Sequence, residues 1–217
     1  IIKKNDDDCV IYGWKINTWS HFYFWDNIQE KYLKNFNSEF KSKIVGPVNF
    51  LPTTDDNTII INKNSICIFD IRPVKKRLYC YLGKPYNFYV SKNIIKFIND
   101  IYEVALRFNM DIIIKQKRSS LLYEDPEYTK FIDEISKNNN VNLIRNIEGE
   151  GLKKLIAKSK VIISIPYTST AILSKQINNN SIFYDPTGEI KINDTYNHNI
   201  QTINSKKNLI EYVKTLN

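Results

Sequence analysis

The chain has 217 residues, 42% of them hydrophobic, which is enough to bury a full core in one large domain or one and a fraction. A formal net charge of +8 points to an anionic partner, yet Lys, Asn and Ile are abundant together, as under AT-rich codon usage, so much of the Lys excess reads as solvated surface. No apolar run approaches the roughly 20 residues that cross a bilayer, no signal peptide is visible, and the few His and Cys show no zinc-site spacing.

The N-terminus, Ile1-Ile2-Lys3-Lys4, lacks an initiator Met and reads as the start of an excised piece of a longer protein. Cys9-Val10-Ile11-Tyr12 reads as a strand and Trp19 to Phe40 as an aromatic helix carrying Phe22, Trp25, Tyr32, Leu33 and Phe36. Lys43 to Val48 reads as a second strand. Residues 1–51 are thus expected to be the closing strand–helix–strand of an N-terminal domain, its aromatics packing in a core or between domains. The polar stretch 52–64 is expected to be a linker.

From residue 65 to 217 short apolar runs alternate with amphipathic ones. The first strand is Ile66 to Ile71. A basic, aromatic loop follows, then a helix from near Ser91 with Ile94, Ile95, Ile98, Ile101, Tyr102, Ala105 and Leu106 at helical spacing. Ile112-Ile113-Ile114 is the next strand. Asp125-Pro126-Glu127 starts a helix, an N-cap followed by Pro at the first helical position, which buries Phe131, Ile132 and Ile135. Val141 to Ile144 is a third strand, and Gly151 to Ser159 a helix. Val161 to Ser164 is a fourth strand, Ala171 to Lys175 opens a helix, and Ser181 to Tyr184 is a fifth strand. A last helix is capped at Ser205 and carries Leu209, Ile210 and Val213. This alternation predicts an α/β fold, a Rossmann-like parallel sheet flanked by helices, with ligands outside the strands' C-terminal ends.

The chemistry at those ends narrows the choice. GxGxxG, GxxxxGK[ST] and GxSxG are absent, and phospho-receiver positions hold Arg145-Asn146 and Asp185-Pro186. The fourth strand instead feeds a helix through Pro166-Tyr167-Thr168-Ser169-Thr170. Such a turn aims hydroxyls and helix N–H groups at one spot suited to a phosphate or carboxylate, although Thr168 or Ser169 could simply cap the helix. The second strand ends in Lys115-Gln116-Lys117-Arg118, three cations on the ligand side of the sheet; a solvated loop is the plain alternative. Arg72, Arg77, Arg107, Arg118 and Arg145 are few, and Arg offers a planar fork for oxyanions. Asp185 follows the fifth strand and either orients a hydroxyl or forms a turn with Pro186-Thr187-Gly188. Glu148 and Glu150, flanking Gly149, either contact ribose or start a helix. Asp70 and Arg72 either face the cleft or pair with each other. Cys9, Cys67 and Cys80 form no CxxC pair, so reduced thiols in a cytoplasmic protein are expected.

The set Tyr12-Gly13-Trp14, Ile44-Val45-Gly46-Pro47, Phe69-Asp70-Ile71-Arg72-Pro73, Lys115-Gln116-Lys117-Arg118, Pro166-Tyr167-Thr168-Ser169 and Tyr184-Asp185-Pro186-Thr187-Gly188 resembles the C-terminal half of GT-B glycosyltransferases. Specifically, it is similar to bacterial surface-polysaccharide biosynthesis proteins with a Pro-Phe-Thr-Ser motif, here with Tyr for Phe. The resemblance implies a glycosyltransferase of capsule, O-antigen or related surface polysaccharides, this half holding a nucleotide-sugar donor. Ser/Thr pairs that hold the CMP phosphate in similar transferases make a CMP-activated acidic sugar the expected donor. On this resemblance Pro166, Thr168, Ser169, Thr170, Lys115, Glu148 and Asp185 hold the donor, while Lys117 and Arg118 stabilise the leaving group. The Lys-x-His of those enzymes is replaced by Lys115-Gln116-Lys117. An inverting enzyme's base would lie in the absent N-terminal part, so this chain alone is expected to bind donor without turnover. The expected partners are the donor and a glycan or lipid-linked glycan acceptor, with peripheral inner-membrane docking of the basic loop. No metal, other cofactor or nucleic acid is expected. A nucleic-acid-binding module and a non-catalytic assembly scaffold are the rival readings.

Overall fold

In the computed structural model, residues 18–46, 62–71, 73, 90–116, 125–145, 149–166, 168–189 and 197–216 are described. The chain divides into two compact units, Ile1–Pro52 and Thr53–Asn217. Among the described residues no helix is long and apolar enough to cross a membrane.

The first unit pairs β1 (His21–Phe24) in parallel with β2 (Lys41–Ile44), joined through α1 (Asn27–Lys34). The single helix expected over Trp19–Phe40 does not form. His21-Phe22-Tyr23-Phe24 is an aromatic run that favours extended backbone. Asp26 then ends it by capping: its carboxylate accepts from the N–H of Ile28 at 3.0 Å and of Gln29 at 2.9 Å. Gln29 Oε1 in turn accepts from the N–H of Trp25, the residue before the cap, at 2.9 Å, a variant of the capping box. Lys34, then the Ser42 hydroxyl, hold the Glu30 carboxyl below its usual range. The aromatics do pack on one another, with Phe22–Phe40 and Phe24–Phe40 ring centroids at 4.8 and 5.9 Å. The expected strand at Cys9–Tyr12 lies outside the described residues, and the expected Lys43–Val48 strand is shifted to Lys41–Ile44.

The second unit contains β3 (Ser65–Phe69), α2 (Ser91–Arg107), β4 (Asp111–Lys115), α3 (Pro126–Ile135), β5 (Val141–Ile144), α4 (Gly149–Lys158), β6 (Val161–Ser164), α5 (Ser169–Ile177), β7 (Ser181–Tyr184), β8 (Gln201–Ile203) and α6 (Lys206–Thr215). Six strands form one all-parallel sheet in the order β5-β4-β3-β6-β7-β8. Counted from β3, this is the 3-2-1-4-5-6 order of the Rossmann fold. The sixth strand, Gln201–Ile203, goes beyond the five expected from the sequence. It has three residues, too few for a period-2 signal to register.

Central strands are buried along their whole length, as sheets covered on both faces require. Ile66, Ile68, Ile112, Ile114, Val161 and Ile163 pack with α2, α3 and α6 in one core cluster. The opposite face, with Cys67, Phe69, Ile162 and Phe183, lies on the side of α4 and α5. In α2 the buried stripe includes Phe97 and Val104, while Leu106, expected inside, is 53% exposed. In α3 Ile132 and Ile135 are buried as expected, Phe131 is only half-buried, and Tyr128 is fully buried in addition. Residues 62–64, expected as linker, are bound into the second unit: Asn62 Nδ2 donates to Asp111 Oδ2 at 2.7 Å and Asn64 Nδ2 to Asn109 O at 2.9 Å.

Candidate functional site

In-register pairing brings the strand ends to one edge, with Phe69 opposite both Lys115 and Ser164, Lys115 opposite Ile144, and Ser164 opposite Phe183. Asp70, Gln116, Arg145, Ile165 and Asp185 therefore all leave the sheet on the same side. Chain connections diverge between β3 and β6, so the crevice at this topological switch point lies between Asp70 and the Pro166–Ser169 turn.

Helix capping sets this crevice apart. The described starts of α1, α3 and α6 are capped by the side chains of Asp26, Asp125 and Ser205. The helices that follow the two strands flanking the crevice, α2 and α5, begin at Val90 and Thr168 with no side-chain cap. Neither has an acidic residue in its first turn. The third N–H of each first turn bonds to the N-cap carbonyl, Ala171 to Thr168 at 3.1 Å and Asn93 to Val90 at 3.0 Å, so the N–H groups of the first two helical residues and the positive dipole ends remain for an anion.

Thr168 takes the N-cap position but not the capping role. Its hydroxyl donates back to the Ile165 carbonyl at 2.9 Å, and Thr170 Oγ1 donates to Thr168 Oγ1 at 3.4 Å. Ser169, the first helical residue, is exposed. Pro166 is buried at the turn, holding the preceding residue extended. Among the described residues three hydroxyls are buried without a protein partner: Ser65 Oγ at the start of β3, on the opposite edge of the sheet, Ser164 Oγ at the end of β6 and Ser91 Oγ at the start of α2. Such hydroxyls are uncommon, and the last two belong to elements that flank the crevice.

The cations are only partly in view. Lys115 is half-buried at the end of β4, and its ammonium donates to the Gln116 carbonyl at 3.0 Å. It is separated from β6 by two strand spacings, about 10 Å. Lys117, Arg118, Glu148, Tyr167 and Arg72 lie outside the described residues, as does the Glu150 side chain. Of the two roles open for Asp185, its hydrogen bonds make the turn. The carboxylate is fully buried and accepts from Thr187 N–H at 2.8 Å and from the Thr187 hydroxyl at 2.6 Å.

One part of this edge was not anticipated from the sequence. Arg145 Nε donates to Gln116 Oε1 at 3.0 Å, and Gln116 Nε2 donates to Tyr128 Oη at 3.1 Å. Tyr128 donates its proton to Asp70 Oδ2. The relay crosses β5, β4 and β3 in order. Only the scarcity of Arg drew attention to Arg145, and no spacing connects the other three.

Residues 2–213 match the family described as "Polysaccharide biosynthesis PFTS motif protein". No curated protein matches the chain. Among solved structures, the UDP-GlcNAc 2-epimerase from Methanocaldococcus jannaschii is similar at 12% identity and a TM-score of 0.47, over 73% of this chain and 40% of its own. A crystal structure of the epimerase from that organism in complex with UDP-GlcNAc and UDP is similar at 12% identity and a TM-score of 0.44, over 70% and 38%. The chain thus spans about two fifths of the length of those enzymes.

Proposed function

The chain belongs to the polysaccharide biosynthesis PFTS motif family, and from that premise we propose that residues 65–217 are the nucleotide-sugar-binding half of a glycosyltransferase of GT-B type. The observation that carries this reading is the α5 N-terminus, hydroxyl-bearing and uncapped by any side chain, at the switch point of a Rossmann-ordered parallel sheet. A donor phosphate placed there accepts from the first-turn N–H groups and the Ser169 hydroxyl. The Thr168 hydroxyl joins by exchanging its bond to the Ile165 carbonyl. Pro166 fixes the turn, and the Thr170 hydroxyl supports Thr168.

As the sugar–phosphate bond breaks, negative charge grows on the leaving phosphate. An uncapped helix end stabilises that charge more than it stabilises the bound donor, and this difference lowers the barrier. Lys115, Lys117 and Arg118, at the end of β4, supply further positive charge. Glu148 is the ribose contact in this scheme. The donor proposed is a CMP-activated acidic sugar, and the acceptor a glycan or lipid-linked glycan met at the cytoplasmic face of the inner membrane. No residue of this chain is assigned as the acceptor-side base, and residues 1–51 would be the closing segment of an acceptor-side domain.

Calorimetric titration with CMP, UDP, GDP and AMP tests the reading. Selective CMP binding is expected, weakened about tenfold in Thr168→Ala and in Ser169→Ala with unchanged melting temperature, the loss of one charge-assisted hydrogen bond. Preference for UDP or GDP would replace the donor and keep the site. Unchanged affinity in both variants would remove the phosphate from this turn.

A further inference from the structure

The relay at the strand ends has a direction. An Arg guanidinium has donors and no acceptor, so Arg145 Nε–H must donate to Gln116. That bond orients the Gln116 amide so that its NH2 group faces Tyr128, leaving the phenol proton to go to Asp70. Gln116, Tyr128 and Asp70 are 3%, 1% and 5% exposed, whereas Arg145 is exposed. A buried chain of side chains, from the end of β4 through α3 to the Asp70 carboxylate after β3, therefore holds one surface guanidinium by its Nε. Among the described residues no carboxylate pairs with that guanidinium, and its outer N–H groups remain on the ligand edge.

We infer that Arg145 is a preorganised receptor for a second oxyanion, a carboxylate or phosphate, taken in bidentate fashion by its outer N–H groups. Locking Nε before binding removes much of the rotamer entropy that a free Arg loses on capturing an anion. Anchoring on strand ends fixes the fork more firmly than a loop would. Strand β5 stands three spacings from β6, about 14 Å, so this anion is a different group from the phosphate at the α5 N-terminus. In the context of the proposed function, on which this part rests, it is the sugar carboxylate of the donor or a phosphate of donor or acceptor. Gln116, Tyr128 and Asp70 are positioning residues that act through Arg145.

The test has two arms on the full chain. In the first, the Arg145 Nε–H cross-peak of isotope-labelled protein is followed during titration with inorganic phosphate and, separately, with acetate. A saturable shift with at least one is expected, and which one identifies the oxyanion. No saturable shift with either overturns the inference, whether or not nucleotides bind. In the second arm, affinities are compared for UDP-glucose against UDP-glucuronate, CMP against CMP-N-acetylneuraminate, and CMP against CDP. The gain from the added anion should fall about tenfold in Arg145→Lys, which keeps the charge and loses the fork, and severalfold in Tyr128→Phe. Arg145→Lys alters a surface side chain and keeps the fold. For Tyr128→Phe, loss of the Nε–H shift with a retained spectrum separates unpinning from unfolding. Nucleotide binding that is identical in wild type and Arg145→Lys overturns the inference and leaves the donor site standing. A phosphate or acetate shift in a chain that binds no nucleotide supports the receptor and removes the donor reading.

Discussion

Two buried tyrosine–aspartate pairs occupy the core of the second unit, and they serve different ends. Tyr184, at the end of β7, donates to Asp100 Oδ2 at 2.7 Å, and the same oxygen accepts from Lys96 at 2.5 Å. Lys206 approaches the other oxygen at 3.9 Å and also pairs with Glu103. The cluster joins β7, α2 and α6 and closes on itself, with Phe97 stacked on the Tyr184 ring at 5.8 Å. Tyr128 and Asp70 make the same kind of bond at the C-terminal edge of the sheet, but their chain opens outward through Gln116 to an exposed Arg. Pairing chemistry alone does not tell a staple from a support. What its far end reaches does.

The largest effect should come from breaking the closed cluster. Asp100→Ala leaves the Tyr184 hydroxyl buried without its acceptor and the Lys96 ammonium without its carboxylate, a loss of about 3 kcal/mol. In a domain of this size that lowers Tm by roughly 10 °C, read by thermal unfolding, with nucleotide affinity unchanged. A Tm near that of the wild type would show the cluster to be ornamental.

A matched pair of deletions sharpens the contrast. Tyr184→Phe and Tyr128→Phe should each cost about 1–2 kcal/mol in denaturant unfolding, since each removes one buried hydroxyl bonded to a carboxylate. Only Tyr128→Phe should also weaken oxyanion binding. Equal ligand effects, or none from either, would erase the distinction between the two pairs.

The smallest effect is in alkali. Burial pushes the Cys67 thiol from 9.0 up to about 12, and burial, then the Asp100 hydrogen bond, raise the Tyr184 phenol. Both groups hold their protons more tightly folded than unfolded. Their contribution is complete below the unfolded values and is lost as pH rises, for Cys67 through 9 toward 12 and for Tyr184 only above 10. Cys67 should account for about 1 kcal/mol of lost stability by pH 10, a slope that Cys67→Ala flattens. The same burial should keep native Cys67 unreactive toward thiol reagents at pH 8, with labelling only on unfolding. Rapid native labelling would contradict this.

The hydroxyl-bearing turn ahead of α5 is legible in the sequence because all its parts are local. An apolar strand, a Pro, consecutive hydroxyls and an amphipathic segment sit within a dozen residues, and backbone stereochemistry does the rest. The aromatic segment of the first unit misled because Phe, Tyr and Trp fit a helix face and a pleated strand alike. The deciding signal, Asp26 with Gln29 three residues on, is a helix start in the middle of the expected helix. In α3 the helix start at Asp125-Pro126 and the burial of Ile132 and Ile135 are legible, but the burial of Tyr128 is not, because its hydroxyl needs partners from the ends of two strands.

By itself, then, the sequence determined the run of strands and helices, the parallel sheet they form, and the hydroxylated helix start at its edge. Hydrophobic periodicity and turn chemistry act over a few residues, and those distances are written in the chain. Only the tertiary structure decided that Asp70, Gln116, Tyr128 and Arg145 form one relay and that Asp185 closes a turn. Strand order places β5, β4 and β3 side by side, and that order is set by how helices cover both faces of the sheet. Hydrogen bonds between residues as far apart as 70 and 128 become possible only once that packing has laid α3 against the ends of β3 and β4.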